Sequence, residues 1–207
     1  MVASGDRILV LGIGNILWAD EGFGVRVVEA IADGYALPSR VTLLDGGTQG
    51  LYLLPHLEEA DATIVVDAID YGLAPGTLRV LRGDAVPAVL AARKLSLHQT
   101  GFQELLALME LRGRPPTRLV LVGVQPALLD DYGGGLTDVV GRQVLPAVET
   151  VLALLAEEHG VDVRPRLAEG SPLVDPAVAR AAYEAGRPSA ETACRIGDDR
   201  VLARRHG

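Results

Sequence analysis

An α/β fold, an open and mostly parallel sheet with helices on both faces, is predicted by three features of the chain. Arg7 to Leu11, Ala62 to Val66 and Leu119 to Val124 hold short continuous apolar runs of the kind that a sheet buried on both faces requires. Between them lie segments with the 3.6-residue apolar stripe of core-facing helices. The stretches that leave the strands combine glycines with carboxylates, and in α/β folds those loops are where sites are built.

In chain order, Arg7–Leu11 is the first strand. Residues 12–25, GIGNILWADEGFGV, form the loop that leaves it, and Gly24, Val27, Val28, Ile31 and Ala32 mark the next helix. Gly34 and Pro38 turn the chain into a second strand, Val41–Leu44, which ends in DGGTQG at 45–50. A short helix over Leu51–Leu57 leads to the third strand, Ala62–Val66, which stops at Asp67. Pro75 and Gly76 reverse the chain, so Leu78–Leu81 is an edge strand, read as antiparallel. Residues 83–97 read as irregular. Phe102, Leu105, Leu106 and Met109 then give an i, i+3, i+4, i+7 face, which places His98 just ahead of a helix. GRPP at 113–116 ends that helix, and Leu119–Val124 is the most apolar strand. The acidic loop 125–137 precedes a helix over about Thr137–His159, with Pro146 as a kink or a late start and Val144, Val148, Val151, Leu152 and Leu155 as its core face.

The chain has 207 residues, enough for one domain with some excess. The division falls near residue 160. Residues 161–207 carry eight Arg against seven Asp or Glu, a formal +1, leaving 11 basic and 20 acidic side chains, or −9, in residues 1–160. The C-terminal extension reads as part helix, about Pro176–Ala185, and part disordered, without a strand-like run. A net charge of −8 and an aromatic content of 4% exclude nucleic acid, which demands clustered cations or stacking platforms. The apolar runs fall short of the ~20 residues that span a bilayer, and no secretory leader pattern opens the chain. The expected location is the cytoplasm, and the acidic surface suits a monomer that meets partners transiently. A single cysteine, Cys194, builds neither a disulfide nor a thiolate cage, so any metal site must rest on carboxylates and imidazoles.

Glu21, Asp67 and His98 are the side chains that topology could bring together. Glu21 follows the first strand, Asp67 ends the third, and these two are usually neighbours in doubly wound sheets, while His98 heads a helix that can close the same crevice. Two carboxylates and an imidazole would leave open positions on a borderline ion such as zinc or nickel. Each also has a plain structural reading: Glu21 as a helix-dipole partner, Asp67 as a cap, His98 as a partner of a backbone carbonyl. Asp20 competes with Glu21 on equal terms, and Asp70 competes less well with Asp67. GIGN lacks the third glycine of a dinucleotide loop, since position 17 is Leu17. A Ser96, His98 and Asp67 triad has no nucleophile-elbow glycines. Asp45, Gly46 and Gly47 form either a tight turn or a patch whose backbone N–H groups grip a peptide carbonyl or anion.

Taken together, GIGNILWADEGFGVRVVEA at 12–30, LLDGGTQG at 43–50, VVDAID at 65–70, APGT at 74–77, LSLHQTG at 95–101 and LVLVGVQP at 119–126 resemble the hydrogenase maturation endopeptidases. The likeness runs in order from residue 7 to about 157. It implies a three-layer fold of about five strands, phosphorylase/hydrolase-like, and a protease domain over 1–160. The implied reaction removes the C-terminal extension of a [NiFe] hydrogenase large-subunit precursor. Nickel already inserted in that substrate would serve as the recognition signal, with zinc or another divalent ion able to occupy the site in isolation. By motif, the resemblance implies that Glu21, Asp67 and His98 are the metal-binding and catalytic residues, and that Asp45 is a further recurrent acid. Cleavage would be metal-assisted or of aspartic type. A nickel-dependent chaperone that does not cut, or a small-molecule metallohydrolase, would use the same three residues. The extension beyond 160 departs from the family pattern.

Overall fold

The computed structural model describes residues 5–92, 97–129, 131–166, 173, 176 and 178–186, and for 91, 92 and 97–100 it describes the backbone alone. Ser96, Cys194 and the His98 side chain lie outside that description. In chain order the elements are β1 (Ile8–Ile13), α1 (Phe23–Gly34), β2 (Tyr35–Ala36), β3 (Val41–Gly47), α2 (Leu54–Glu59), β4 (Ala62–Ala68), β5 (Leu78–Arg82), α3 (Ala85–Ala92), α4 (Leu97–Leu111), β6 (Leu119–Val124), α5 (Asp138–Gly141), α6 (Val144–His159), β7 (Arg164–Pro165) and α7 (Arg180–Ala185), with 3₁₀ turns at Ala19–Gly22 and Gly50–Leu53.

Five strands form one sheet in the order β3-β1-β4-β6-β5. The first four are parallel, and β5 closes one edge antiparallel to β6. Strand residues alternate between two cores, as a pleat buried on both faces demands. Ile8, Val10, Ile64, Val66, Val120 and Val122 meet α1 and α6, whereas Leu9, Leu11, Val65, Leu119 and Leu121 meet α2, α3 and α4. Asp67 shares the parity of Val65 and Ile69, so its side chain belongs to the face covered by α4.

Close approach of α1 to the sheet depends on two glycines. A Cβ at Gly24 would lie 2.1 Å from the Val66 carbonyl oxygen, and one at Gly12 would lie 2.4 Å from the Gly24 carbonyl oxygen. This contact seats the start of α1 on the C-terminal ends of β1 and β4, and so fixes the loop between β1 and α1.

The structure departs from expectation in several places. Strand β4 runs through Asp67 to Ala68, and β3 runs through Gly47 with an irregularity opposite Gly12 and Ile13. Residues 85–92 are helical, not irregular. Val86 and Leu90 are buried there one turn apart, each worth roughly 1.5–3 kcal/mol, and Pro87 falls in the first turn, where its missing N–H costs nothing. Helix α4 starts at Leu97, so His98 lies inside its first turn. The helix expected over 137–159 is broken at Arg142 and Gln143, and Pro146 sits in the first turn of α6, which makes it a late start. Segment Asp138–His159 is long and apolar enough to cross a membrane by length and composition, yet Val144, Ala147, Val148, Val151, Leu154 and Leu155 are buried in the core. Beyond residue 160, β7 pairs with β2 and the final helix begins at Arg180.

Candidate functional site

Strand ends β1, β3, β4 and β6 deliver four loops to one edge of the sheet. In the first loop, Gly14 adopts φ +135°, and a Cβ there would lie 1.8 Å from the Glu21 carbonyl oxygen. Only glycine lets the chain fold back so closely. The 3₁₀ turn bearing Glu21 consequently packs against β4, the strand that carries Asp67. Glu21 is half-buried, whereas Asp67 is buried and accepts the Ala68 N–H at 2.7 Å.

Asp20 and Glu21 have separate tasks. Asp20 is fully buried and accepts four hydrogen bonds: Ala127 N–H at 2.8 Å, Leu128 N–H at 2.9 Å, Thr137 N–H at 2.7 Å and the Thr137 hydroxyl at 3.1 Å. It ties the loop after β1 to the loop after β6. Trp18 strengthens that tie, bridging to Tyr132 and Gly134, with its ring edge-on to Tyr132 at 5.3 Å. Ala19 between them holds φ +39°, an uncommon conformation for a residue with a side chain, beside the candidate acid. Asp70 accepts from Gly72 N–H and Gln125 Nε2, and so secures the turn after β4.

On the other side of β1, the irregularity in β3 presents Asp45. Its carboxylate accepts the Gly47 N–H at 2.9 Å, and the Gly47 carbonyl accepts the Gly14 N–H at 3.0 Å. Gly47 N–H is thus engaged by Asp45 itself. Burial pushes the Asp45 carboxyl above its ordinary value, opposed by the Gly47 N–H and the nearby Arg26 guanidinium. Gly46 sits so close to Leu11 that a Cβ would lie 2.6 Å from Leu11 Cδ1.

Helix α4 packs against the 3₁₀ turn that follows this segment, with Gly101 within 3.5 Å of the Gly50 Cα by the position of its missing Cβ. The first turn of α4, which includes His98, therefore stands beside the loop after β3 and on the sheet face to which Asp67 belongs. Among the described residues no three His, Cys, Asp or Glu side chains gather into a metal-ligating cluster; His98 is not among those side chains. The available donors, carboxylates and one imidazole without thiolate, suit a hard or borderline divalent ion.

Tyr71, a neighbour of Asp67, and Gln125, which holds the Tyr71 backbone, were not singled out from the sequence. The Tyr71 hydroxyl lies over Gly123, where a Cβ would be 2.0 Å from it, and Gly123 is paired in register with Asp67. Burial first, then the Asp67 charge, pushes the Tyr71 phenol up, so it stays protonated as a donor. Buried Gln125 takes the Tyr71 and Leu73 N–H groups at 2.7 and 3.1 Å. A glycine interrupting the apolar run LVLVGV was the available signal for such a close approach. A cavity of about 520 Å³ between Asp84, Gln103, Glu110 and Leu119 lies at the opposite end of the sheet. A smaller one of about 290 Å³ touches Gly14, Leu17, Asp45, Gly47, Thr48 and Val178.

Comparison with known proteins bears on the family and the fold. The family profile described as "HycI: Hydrogenase maturation protease" matches residues 25–154. "Hydrogenase expression/formation protein HupD" of Rhodobacter capsulatus is 57% identical, over 95% of this chain and 93% of that protein. "Hydrogenase 2 maturation protease" of Escherichia coli (strain K12) is 47% identical, over 77% of this chain and 96% of its own length. Among solved structures, the hydrogenase maturating endopeptidase HybD from E. coli superposes with a TM-score of 0.72 and 46% identity, covering 77% of this chain and 98% of that one.

Proposed function

This chain belongs to the hydrogenase maturation protease family and is an endopeptidase, and from that premise we propose that it removes the C-terminal extension of a [NiFe] hydrogenase large-subunit precursor once nickel is in place. What supports this reading is membership of the family, together with the packing of the Glu21 turn on β4, the strand that bears Asp67, and of α4 on the turn after β3. Nickel is here part of the substrate. Glu21, Asp67 and His98 would supply its oxygen and nitrogen ligands, while the precursor supplies the soft ones. The chain itself offers no thiolate near the site among the described residues, so it can inspect the ion without competing for it. Zinc or another divalent ion would fit the same donors in the free enzyme.

Hydrolysis needs a base for water and a means of polarising the scissile carbonyl. Asp67 is the better base, because its strand-end position and the Ala68 N–H hold it rigidly, while the more exposed Glu21 is suited to meet the substrate's metal. Tyr71, kept protonated, positions the Asp67 neighbourhood. Asp45 would accept a substrate N–H at the cleft's other side, with Gly46 and Gly47 letting the peptide approach the backbone. The protease would act in the cytoplasm as a monomer, a reading supported by its acidic charge of −8 and by the core position of α6.

Incubation with nickel-loaded and nickel-free precursor tests the reading. Loss of the C-terminal mass only with nickel is expected. Asp67→Asn should bind the loaded precursor and fail to cut it, and His98→Ala should do neither. Cutting without nickel, full processing by His98→Ala, or a stable complex with no mass loss would each overturn it.

A further inference from the structure

The segment 178–186 is fastened to α1 by a buried ion pair. Arg26 and Glu29, one helical turn apart and only 4% and 6% exposed, meet at 2.8 Å. Each also holds the C-terminal segment: Arg26 donates to the Val178 carbonyl and Glu29 accepts the Arg180 N–H, both at 2.8 Å. The Arg26 guanidinium further lies 5.6 Å over the Tyr183 ring. Ordering a chain segment costs conformational entropy, and burying two charges is costly unless their hydrogen bonds are complete. A dock of this kind places a segment; it is a poor way merely to add stability.

What it places is Val178, in the wall of the 290 Å³ cavity that also touches Gly14, Leu17, Asp45, Gly47 and Thr48. The remaining walls come from residues 14–17 of the loop after β1, Val25 of α1, and Asp45, Gly47 and Thr48 at the end of β3. Val178, by contrast, lies beyond residues 25–154, the part matched by the family profile, so this wall can differ between proteases that serve different hydrogenases. A lining that combines Gly14 and Gly47 with the aliphatic Leu17 and Val178 suits an extended peptide with one apolar side chain inserted.

Resting on the proposed function, we propose that Val178 closes a specificity subsite for a residue flanking the scissile bond of the precursor, and that the C-terminal segment thereby sorts precursors by the size of that residue. One methylene more or less in such a pocket changes kcat/KM by roughly 10–200-fold.

The test uses the full chain with nickel-loaded precursors whose residues on either side of the cut are changed in turn to Gly, Val and Phe. With Val178→Phe, kcat/KM should fall at least about tenfold for a bulky residue at one of the two positions and stay near wild type for Gly there. Val178→Ala should shift the preference toward Phe at that same position. Tyr183→Ala, which loosens the dock without entering the cleft, should flatten the preference, with thermal unfolding confirming that each variant is folded. Rate changes that are equal for all precursors, or absent, while the wild type cuts normally would overturn the subsite and leave the protease intact as a reading. Failure of the wild type to cut any loaded precursor would overturn both.

Discussion

Asp20 and Glu21 are adjacent in the chain and identical in charge, yet the fold assigns one to architecture and leaves the other to chemistry. The four donors on Asp20 come from residues more than 100 positions away, which is why the pair could not be divided by inspecting the loop. Asp20→Ala should lower stability by at least about 3 kcal/mol, since it leaves several buried donors unmet. Glu21→Gln should cost less stability than Asp20→Ala while abolishing cleavage. Urea titration alongside the processing assay separates the two. For Asp45, burial raises the pKa in the folded state, so the folded protein binds the more tightly held proton. Its contribution to stability is present below the ordinary carboxylate range and is lost as pH rises through the raised value. Asp45→Asn should therefore flatten the decline in stability above about pH 4, raise the unfolding midpoint at pH 7 relative to the wild type, and weaken precursor binding.

At the scale of elements, the apolar runs of the parallel strands were legible because burial on both faces leaves no room for polar interruption. The sheet edge that holds Asp45, Glu21 and Asp67 followed from that reading. Helix α3 was not legible: eight residues rich in Ala with an internal proline carry almost no periodic signal, although Val86 and Leu90 anchor it. The two-residue ladder of β2 and β7 is too short to leave a pattern. Gly24 looked like an ordinary helical residue, but its place on β4 depends on having no side chain. Gly24→Ala should cost about 1–3 kcal/mol through overpacking and disturb the loop that carries Glu21. Gly34→Ala, at the open end of the same helix with nothing within 4 Å of the new methyl, should be neutral or add up to about 1 kcal/mol. Thermal melts of the two variants make the comparison.

For the whole molecule, the change in composition near residue 160 was legible, and the way residues 178–186 rejoin the body was not. An Arg and a Glu at i and i+3 read as a common surface pair; only the arrival of Val178 and Arg180 turns them into a buried dock. Glu29→Ala should cost about 3–5 kcal/mol by stranding the guanidinium, and should accelerate hydrogen exchange and proteolysis within 178–186 before the rest of the chain opens. The fold also carries its own reporter. Trp18 is the chain's single tryptophan, and it sits edge-on to Tyr132 in the loop that bears Glu21. Selectively excited indole emission therefore arises wholly from the rim of the site, so arrival of a precursor, or loss of the Asp20 tie, can be followed optically without attaching a dye.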